Sequence, residues 1–189
     1  MASLAKVEND NMAVDPFIAI LAERAKAIQE EATISAAFLE SAKADEIGRR
    51  IVAEQDQRMH LFKTWDTLLR STSSGVLQPG DLDASRVREY VDSTGQIMHH
   101  FRNISSRIRA AIAELERRTR DGSVTNPAII RELAQHAKSL QDAERDHLEL
   151  VVQIHKARLK CEDASTARAG LQEKLDRVRE EMEEIRSLV

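Results

Sequence analysis

Apolar residues recur every three or four positions along most of the chain, which is the spacing of one face of an α-helix. The most regular run forms a coiled-coil seam in the middle of the sequence. Its members are Val87, Val91, Thr94, Met98, Phe101, Ser105, Ile108, Ile112 and Leu115. Runs of alternating β-branched residues between turn signals are missing, so the sequence predicts no strand. The predicted fold class is all-α.

Turn signals divide the pattern into three long helices in a single domain. They are predicted over 15–71, 84–120 and 126–189, behind a flexible arm at 1–14. Asp15 and Pro16 suit the start of the first helix, and Asn126 and Pro127 repeat the same cap-then-proline pattern at the third. The apolar seam of the first helix slips in phase near Gly48, so that helix is either continuous or bent or broken there.

The helix lengths predict an elongated antiparallel three-helix bundle with coiled-coil overhangs at both ends. Helix 84–120 spans roughly 54 Å at a rise of about 1.5 Å per residue. Short loops would fold it against the second half of the first helix and the first half of the third. Residues near 16–35 and 164–189 would then extend beyond opposite ends of the bundle.

The C-terminal overhang has a narrow apolar stripe that suits a two-helix coiled coil. Its residues are Leu171, Leu175, Val178, Met182 and Ile185. Such a stripe is covered either by its own chain or by a partner, and the overhang geometry favours a partner. Because the two overhangs run parallel, this tail could pair with residues 16–35 of the next copy. That pairing would give head-to-tail self-association or attachment to a cytoskeletal lattice such as the axoneme of a cilium.

The third helix has apolar residues on more than one side. Leu140, Leu150 and Ile154 follow the heptad seam. A second stripe, a candidate partner-binding surface, consists of Leu148, Val152 and Leu159. We therefore predict that this helix is central, with one face on helix 84–120 and the other on the first helix or on a partner.

Composition fits a helical rod better than a round core. Charged residues make up 32% of the chain and aromatic residues 3%, against an average charged share of about a quarter. The net charge of −4 is too small to indicate a nucleic-acid or membrane partner. Cys161 is the only cysteine, which excludes an intrachain disulfide, and no segment is apolar enough to span a bilayer. We expect an intracellular protein of the cytoplasm, the cytoskeleton (including the cilium) or the nucleus.

A basic stretch in the second helix is the candidate contact for an anionic surface. Its selected residues are Arg102, Arg109, Arg117 and Arg120. They could follow nucleic-acid phosphates or an acidic protein lattice such as tubulin. The simpler alternative is a solvated face that pairs with acidic residues of the other helices. No aromatic residue is interleaved to stack on bases, so we do not expect direct nucleic-acid binding.

Candidate catalytic and metal sites are weak throughout. Glu144 and His147 have the i, i+3 spacing of a di-iron ligand pair, but the second such pair that this site needs is missing. Cys161 has a heptad position that suits a small buried hydrophobe. The glycines are scattered singly, and no nucleophile motif occurs. We predict no enzyme activity, no catalytic residue, no metal and no cofactor.

Two segments resemble a known family. They are "FRNISSRIRAAIAEL" at 101–115 and "LQDAERDHLEL" at 140–150. The matching residues are Phe101, Ser105, Ile108, Leu115, Leu140, Gln141, Glu144 and Leu148, with Arg58 and Phe62 at the end of the first helix. Over roughly 57–160 the chain resembles the required-for-excision 1-B domain family, whose small helical domain is associated with excision repair of damaged DNA.

The resemblance implies a non-catalytic accessory protein and supplies no catalytic residues. The resulting prediction is a helical adaptor that acts through coiled-coil contacts with other proteins, with a link to DNA excision repair. The alternative is a structural coiled-coil component of a cytoskeletal lattice.

Overall fold

The computed structural model describes residues 34–73, 84–122, 125–160 and 162–189. These residues form five α-helices: α1 (Ala36–Ser41), α2 (Ala44–Thr72), α3 (Ala84–Arg120), α4 (Pro127–Leu159) and α5 (Ser165–Ser187). They contain no strand, which confirms the all-α class. The predicted arm at 1–14 and the start of the first predicted helix lie outside the described residues, as does Cys161.

The first predicted helix is interrupted before Gly48. The Ser35 hydroxyl oxygen accepts a hydrogen bond from the Phe38 N–H at 3.1 Å, which caps the short helix α1. The next helix starts two residues after α1 ends, where the Lys43 N–H donates to Glu46 Oε2 at 2.6 Å. These local bonds place the break at Ala42–Lys43.

Gly48 is a packing position inside the continuous helix α2. A Cβ atom there would lie 3.2 Å from both Leu133 Cδ atoms and would overlap the side chain of Val189. Glycine therefore allows α2 to approach α4 and the C-terminal residues closely. The phase slip near Gly48 marks this contact, where a larger side chain would not fit.

Helix α3 has the bounds Ala84–Arg120, and Gly122 follows it with a φ of 67°. That left-handed conformation is the usual glycine ending of a helix. The predicted seam does not describe the first half of α3, because Val91 is 57% exposed while Tyr90 and Ile97 are buried. The buried face there is rotated by about one residue from the predicted one.

The single helix predicted over 126–189 is instead two helices. Helix α4 ends at Leu159, and α5 begins at Ser165. Between them the Asp163 carboxylate accepts hydrogen bonds from the Ser165 N–H at 2.9 Å and from its hydroxyl at 2.7 Å. This local arrangement holds the free N–H group at the start of α5 and allows the chain to turn back.

Helix α5 runs antiparallel along α4, so residues 164–189 are not an overhang. His136 of α4 contacts Glu181 at 2.9 Å, and Asp146 near the other end of the pair contacts Lys174 at 3.7 Å. The tail stripe packs on its own chain: Val178, Met182 and Ile185 are buried, and Leu171 and Leu175 are half-buried. Folding back removes this apolar stripe from water without a partner, which is the physical reason that the overhang prediction fails.

Two apolar clusters fill the inside of the bundle. The first contains Ile47, Ile51, Ile108, Leu115, Leu133 and Leu140, together with the three buried residues of α5. The second is rich in aromatic side chains and contains Phe62, Trp65, Leu69, Tyr90, Ile97, Phe101 and Val151. Along α2 and α4, buried polar residues lie between the two clusters.

His155 lies inside the aromatic cluster. Its Nδ1 atom is 2.7 Å from the Tyr90 hydroxyl, and its ring centroid is 4.4 Å from that of Trp65. The pKa of His155 is lowered from 6.5 to about 4, chiefly because burial penalises the charged imidazolium. The folded protein therefore holds His155 in its neutral form.

We expect the free energy of unfolding to fall between pH 6.5 and pH 4. In that window the unfolded chain binds a proton at His155 and the folded chain does not, so the stabilisation present above pH 6.5 is progressively lost as the pH decreases. The loss is on the order of 2 to 3 kcal/mol. Urea unfolding across this range measures it.

The His155→Gln variant should lose most of this pH dependence, whereas the His60→Gln variant, changed at an exposed histidine of α2, should keep it. An unchanged pH dependence in His155→Gln would contradict the assignment to His155.

Candidate functional site

A layer of buried polar side chains separates the two apolar clusters, which we call the polar layer. Its members come from α2, α3 and α4: Glu54, Gln55, Arg58, Ser105, Arg107, Gln141, Glu144 and His147. Glu54 and Gln55 are completely buried, and Arg58, Glu144 and His147 are no more than 3% exposed. Buried polar groups are costly unless they are paired, so each contact in the layer fixes the relative positions of two helices.

Arg58 connects all three helices. Its Nη1 donates to Gln55 Oε1 at 3.1 Å, and its Nη2 donates to Ser105 Oγ at 2.8 Å and to Gln141 Oε1 at 3.4 Å. All three acceptors are neutral. Burial lowers the pKa of Arg58, while the charges of Glu144 and Glu54 partly oppose that shift.

Glu54 forms the strongest pair in the layer. Its carboxylate accepts two hydrogen bonds from Arg107, from Nε to Oε1 and from Nη2 to Oε2, each at 2.6 Å. Glu54 Oε1 also accepts a hydrogen bond from the Ile34 N–H at 3.2 Å. This two-point contact joins α2 to α3 and ties down the segment before α1.

The Glu144 and His147 pair belongs to this layer. Gln55 Nε2 donates to Glu144 Oε1, while Glu144 Oε2 and His147 Nδ1 lie 3.5 Å apart without a hydrogen bond to each other. The imidazole packs on Phe62, with 4.1 Å between ring centroids. In the described part of the chain, no group of three or more His, Cys, Asp or Glu side chains could hold a metal ion.

A cleft of about 330 Å³ opens over one side of the polar layer. Seven of its lining residues are Arg58, Phe62, Phe101, Ser105, Gln141, Glu144 and Leu148. The remaining three, Arg109, Asp142 and Arg145, carry charges. The cleft thus combines a polar floor, an apolar wall and a charged surround.

The structure separates the residues of the second apolar stripe. Leu148 lines the cleft, whereas Val152 and Leu159 pack, half-buried, against the aromatic cluster. In the described chain the stripe is therefore partly covered, and only its Leu148 end reaches the cleft.

The basic stretch of α3 divides into two sets. Arg107 and Arg118 are partly buried and engaged, the latter donating through Nη1 to the Ala42 carbonyl oxygen at 2.6 Å. The four selected arginines are all exposed. Of these, Arg109 lines the cleft, and Arg117 pairs with Glu114 at 2.8 Å and with Asp121 at 2.7 Å.

The profile of a known family, described as DNA repair REX1-B, matches residues 46–158. The chain belongs to the DNA repair REX1-B family. The matched region starts in α2 and ends in α4, so the short helix α1 and the C-terminal helix α5 lie outside it. No curated protein and no solved structure matches the chain.

The seven cleft residues named first above are all among those that carry the resemblance to the REX1-B family. The other three, Ile108, Leu115 and Leu140, lie in the first apolar cluster. The sequence patterns did not single out Glu54, Gln55 and Arg107, although they hold the REX1-B helices together at the polar layer. Their spacing carries no sign of burial, because each is an ordinary polar residue in a helical sequence.

Among the described helices, none combines the length and the apolar content that a membrane crossing requires.

Proposed function

We propose that this chain is a non-catalytic accessory protein of DNA excision repair that binds a partner protein at the cleft. The family match supports the link to DNA repair. The observation that carries the binding role is the convergence of seven family-like residues, from three helices, on one small cleft. Packing alone would place apolar residues at such positions, so the polar floor favours recognition of another molecule.

The contacts of the cleft residues favour binding over catalysis. The only hydroxyl among the lining residues belongs to Ser105, and it accepts a hydrogen bond from Arg58. A guanidinium stays protonated in proteins and cannot activate a nucleophile as a general base. The imidazole of His147 packs on Phe62 and lies beside Glu144. We therefore keep the proposal that the chain is not an enzyme.

A protein partner fits the surface better than DNA does. Phe62 and Phe101 are 7% and 3% exposed, so neither presents a ring face on which a base could stack. Two carboxylate residues, Asp142 and Glu144, line the same cleft and would repel a phosphate backbone. Acting on DNA repair would place the protein in the nucleus.

The cytoskeletal alternative was motivated by a free C-terminal tail. Helix α5 packs along α4 in the described chain, so the tail is not available for head-to-tail pairing in this conformation. For this reason the coiled-coil lattice is not proposed as a second function.

Removal of ultraviolet photoproducts from genomic DNA tests the proposal in cells that lack the gene. We expect slower removal without the protein and full rescue by the original chain. The Arg109→Gln variant, changed at an exposed residue of the cleft, should rescue poorly. Arg120→Gln is the matched control, because it removes the same charge from α3 outside the cleft lining.

Normal photoproduct removal in the deletion cells would contradict the link to repair. Cleavage or base release by the purified chain on irradiated duplex DNA would contradict the non-catalytic role. Equal rescue by Arg109→Gln and Arg120→Gln would contradict the assignment of binding to the cleft.

A further inference from the structure

The cleft contains two arginines whose charges lack a direct carboxylate partner among the described residues. Arg58 is 2% exposed and donates only to neutral oxygens of Gln55, Ser105 and Gln141. Arg109 lines the same cleft, and the two positive charges repel each other. The third cleft arginine, Arg145, is held by Asp142 at 3.0 Å. An anionic group placed at Arg58 and Arg109 would relieve their repulsion and complete their hydrogen bonding.

The floor of the cleft also has one donor and one acceptor without a partner. Gln141 Nε2 and Glu144 Oε2 are buried atoms that make no hydrogen bond. Both residues line the cleft, and Glu144 is 3% exposed. Leaving such atoms unpaired costs about 1 to 3 kcal/mol each. A peptide group satisfies both, because its carbonyl oxygen accepts from Gln141 and its N–H donates to Glu144.

The remaining wall of the cleft is apolar. The rings of Phe62 and Phe101 are in contact, with 4.5 Å between their centroids, and Leu148 lies beside them in the lining. The volume of about 330 Å³ is near the lower end of the range for binding sites, roughly 300 to 1,000 Å³. It suits a few residues of an extended segment better than a folded surface.

We propose that the cleft binds a short acidic segment of a partner protein, in which an Asp or Glu residue adjoins an apolar residue. The carboxylate pairs with Arg58 and Arg109. A main-chain peptide group bonds to Gln141 and Glu144, and the apolar side chain packs on Phe62, Phe101 and Leu148. This inference rests on the proposed function, since it specifies the chemistry of the partner at the same cleft.

A random peptide library displayed on phage, selected on the full-length chain, provides the probe. Enriched peptides should contain an acidic residue beside a Leu, Ile, Met or Phe. Fluorescence anisotropy then gives the Kd of one enriched peptide and of its acid-to-amide counterpart. We expect the amide peptide to bind the original chain about tenfold more weakly.

The same two peptides are measured on Arg109→Gln, with Arg120→Gln as the control. The acid-to-amide change should cost clearly less on Arg109→Gln, because the partner of the carboxylate has been removed. On Arg120→Gln the cost should stay about tenfold. Leu148→Ala should weaken both peptides by a similar factor, since it removes apolar contact and no charge.

Four results would overturn the inference. They are a failure to enrich any peptide, enrichment of peptides without an acidic residue, an equal acid-to-amide cost on the original chain and on Arg109→Gln, and displacement of the peptide by duplex DNA whose own binding is weakened by Arg109→Gln. The last result would identify the occupant as nucleic acid.

The repair assay in cells separates this inference from the proposed function. If the library fails while Arg109→Gln still slows photoproduct removal, the accessory role at the cleft stands and the acidic segment is wrong. If acidic peptides bind as expected while deletion of the gene leaves removal unchanged, the recognition chemistry stands and the link to repair is wrong.

Discussion

A chain that ends after Cys161 should unfold at a much lower urea concentration than the full-length chain. Helix α5 contributes Val178, Met182 and Ile185 to the first apolar cluster, and each is at least nine-tenths buried. Burying such a side chain contributes about 1.5 to 3 kcal/mol, so the loss is about 5 kcal/mol or more. A typical domain has a total stability of only about 5 to 15 kcal/mol. The truncated chain should therefore be largely unfolded or close to it.

Single substitutions in the full-length chain provide the control. Ile185→Ala, at a completely exposed-free position of 0% accessibility, should cost about 2 to 5 kcal/mol because it leaves a cavity. Glu184→Ala, at the neighbouring exposed position, should change the stability by less than about 0.5 kcal/mol. A truncated chain with an unchanged urea midpoint would mean that the tail does not pack on the bundle.

The second large effect is expected for Glu54→Ala, which should lower the free energy of unfolding by about 3 to 5 kcal/mol. The change removes both acceptors of Arg107, whose side chain is only 16% exposed, and leaves that charge without its partner. It also removes the acceptor of the Ile34 N–H. Urea unfolding with circular dichroism measures the loss.

Two comparisons isolate the effect of the buried pair. Replacing both partners, Glu54→Leu with Arg107→Leu, should cost less than Glu54→Ala, because no unpaired charge remains. Asp45→Ala breaks the exposed pair between Asp45 and Arg49 on the same helix, and this should cost less than about 1 kcal/mol. If Glu54→Ala costs no more than Asp45→Ala, the polar layer does not have the energetic role described above.

Local chemistry accounts for the parts of the fold that could be predicted. Helix α3 was predictable because Gly122 ends it and a regular apolar spacing runs through it. The break after α4 was not predicted, although Asp163 and Ser165 together are capping residues. A heptad register can be continued through Cys161, and the spacing alone does not distinguish a continuous helix from two helices in register. That choice depends on the apolar surface that α4 and α2 offer to α5.

The cleft could be predicted only in part. Resemblance to a family named most of its lining residues, but periodicity predicted that Leu148 shares one surface with Val152 and Leu159, which pack elsewhere. The buried pair of Glu54 with Arg107 was not predictable, because its members are 53 positions apart and either would be a normal surface residue. Burial of a charge depends on where a distant partner lies, and a pattern along one helix does not contain that distance.

The contact of Arg118 with helix α1 also orders events during synthesis. Arg118 donates hydrogen bonds to the carbonyl oxygens of Ala42 and Leu39, which lie 76 and 79 positions earlier in the chain. Helix α1 has six residues, and an isolated helix shorter than about 12 to 15 residues is barely stable in water. On a ribosome, α1 would therefore stay unformed until nearly all of α3 has been translated. Its formation then marks the moment at which the far end of α3 has docked.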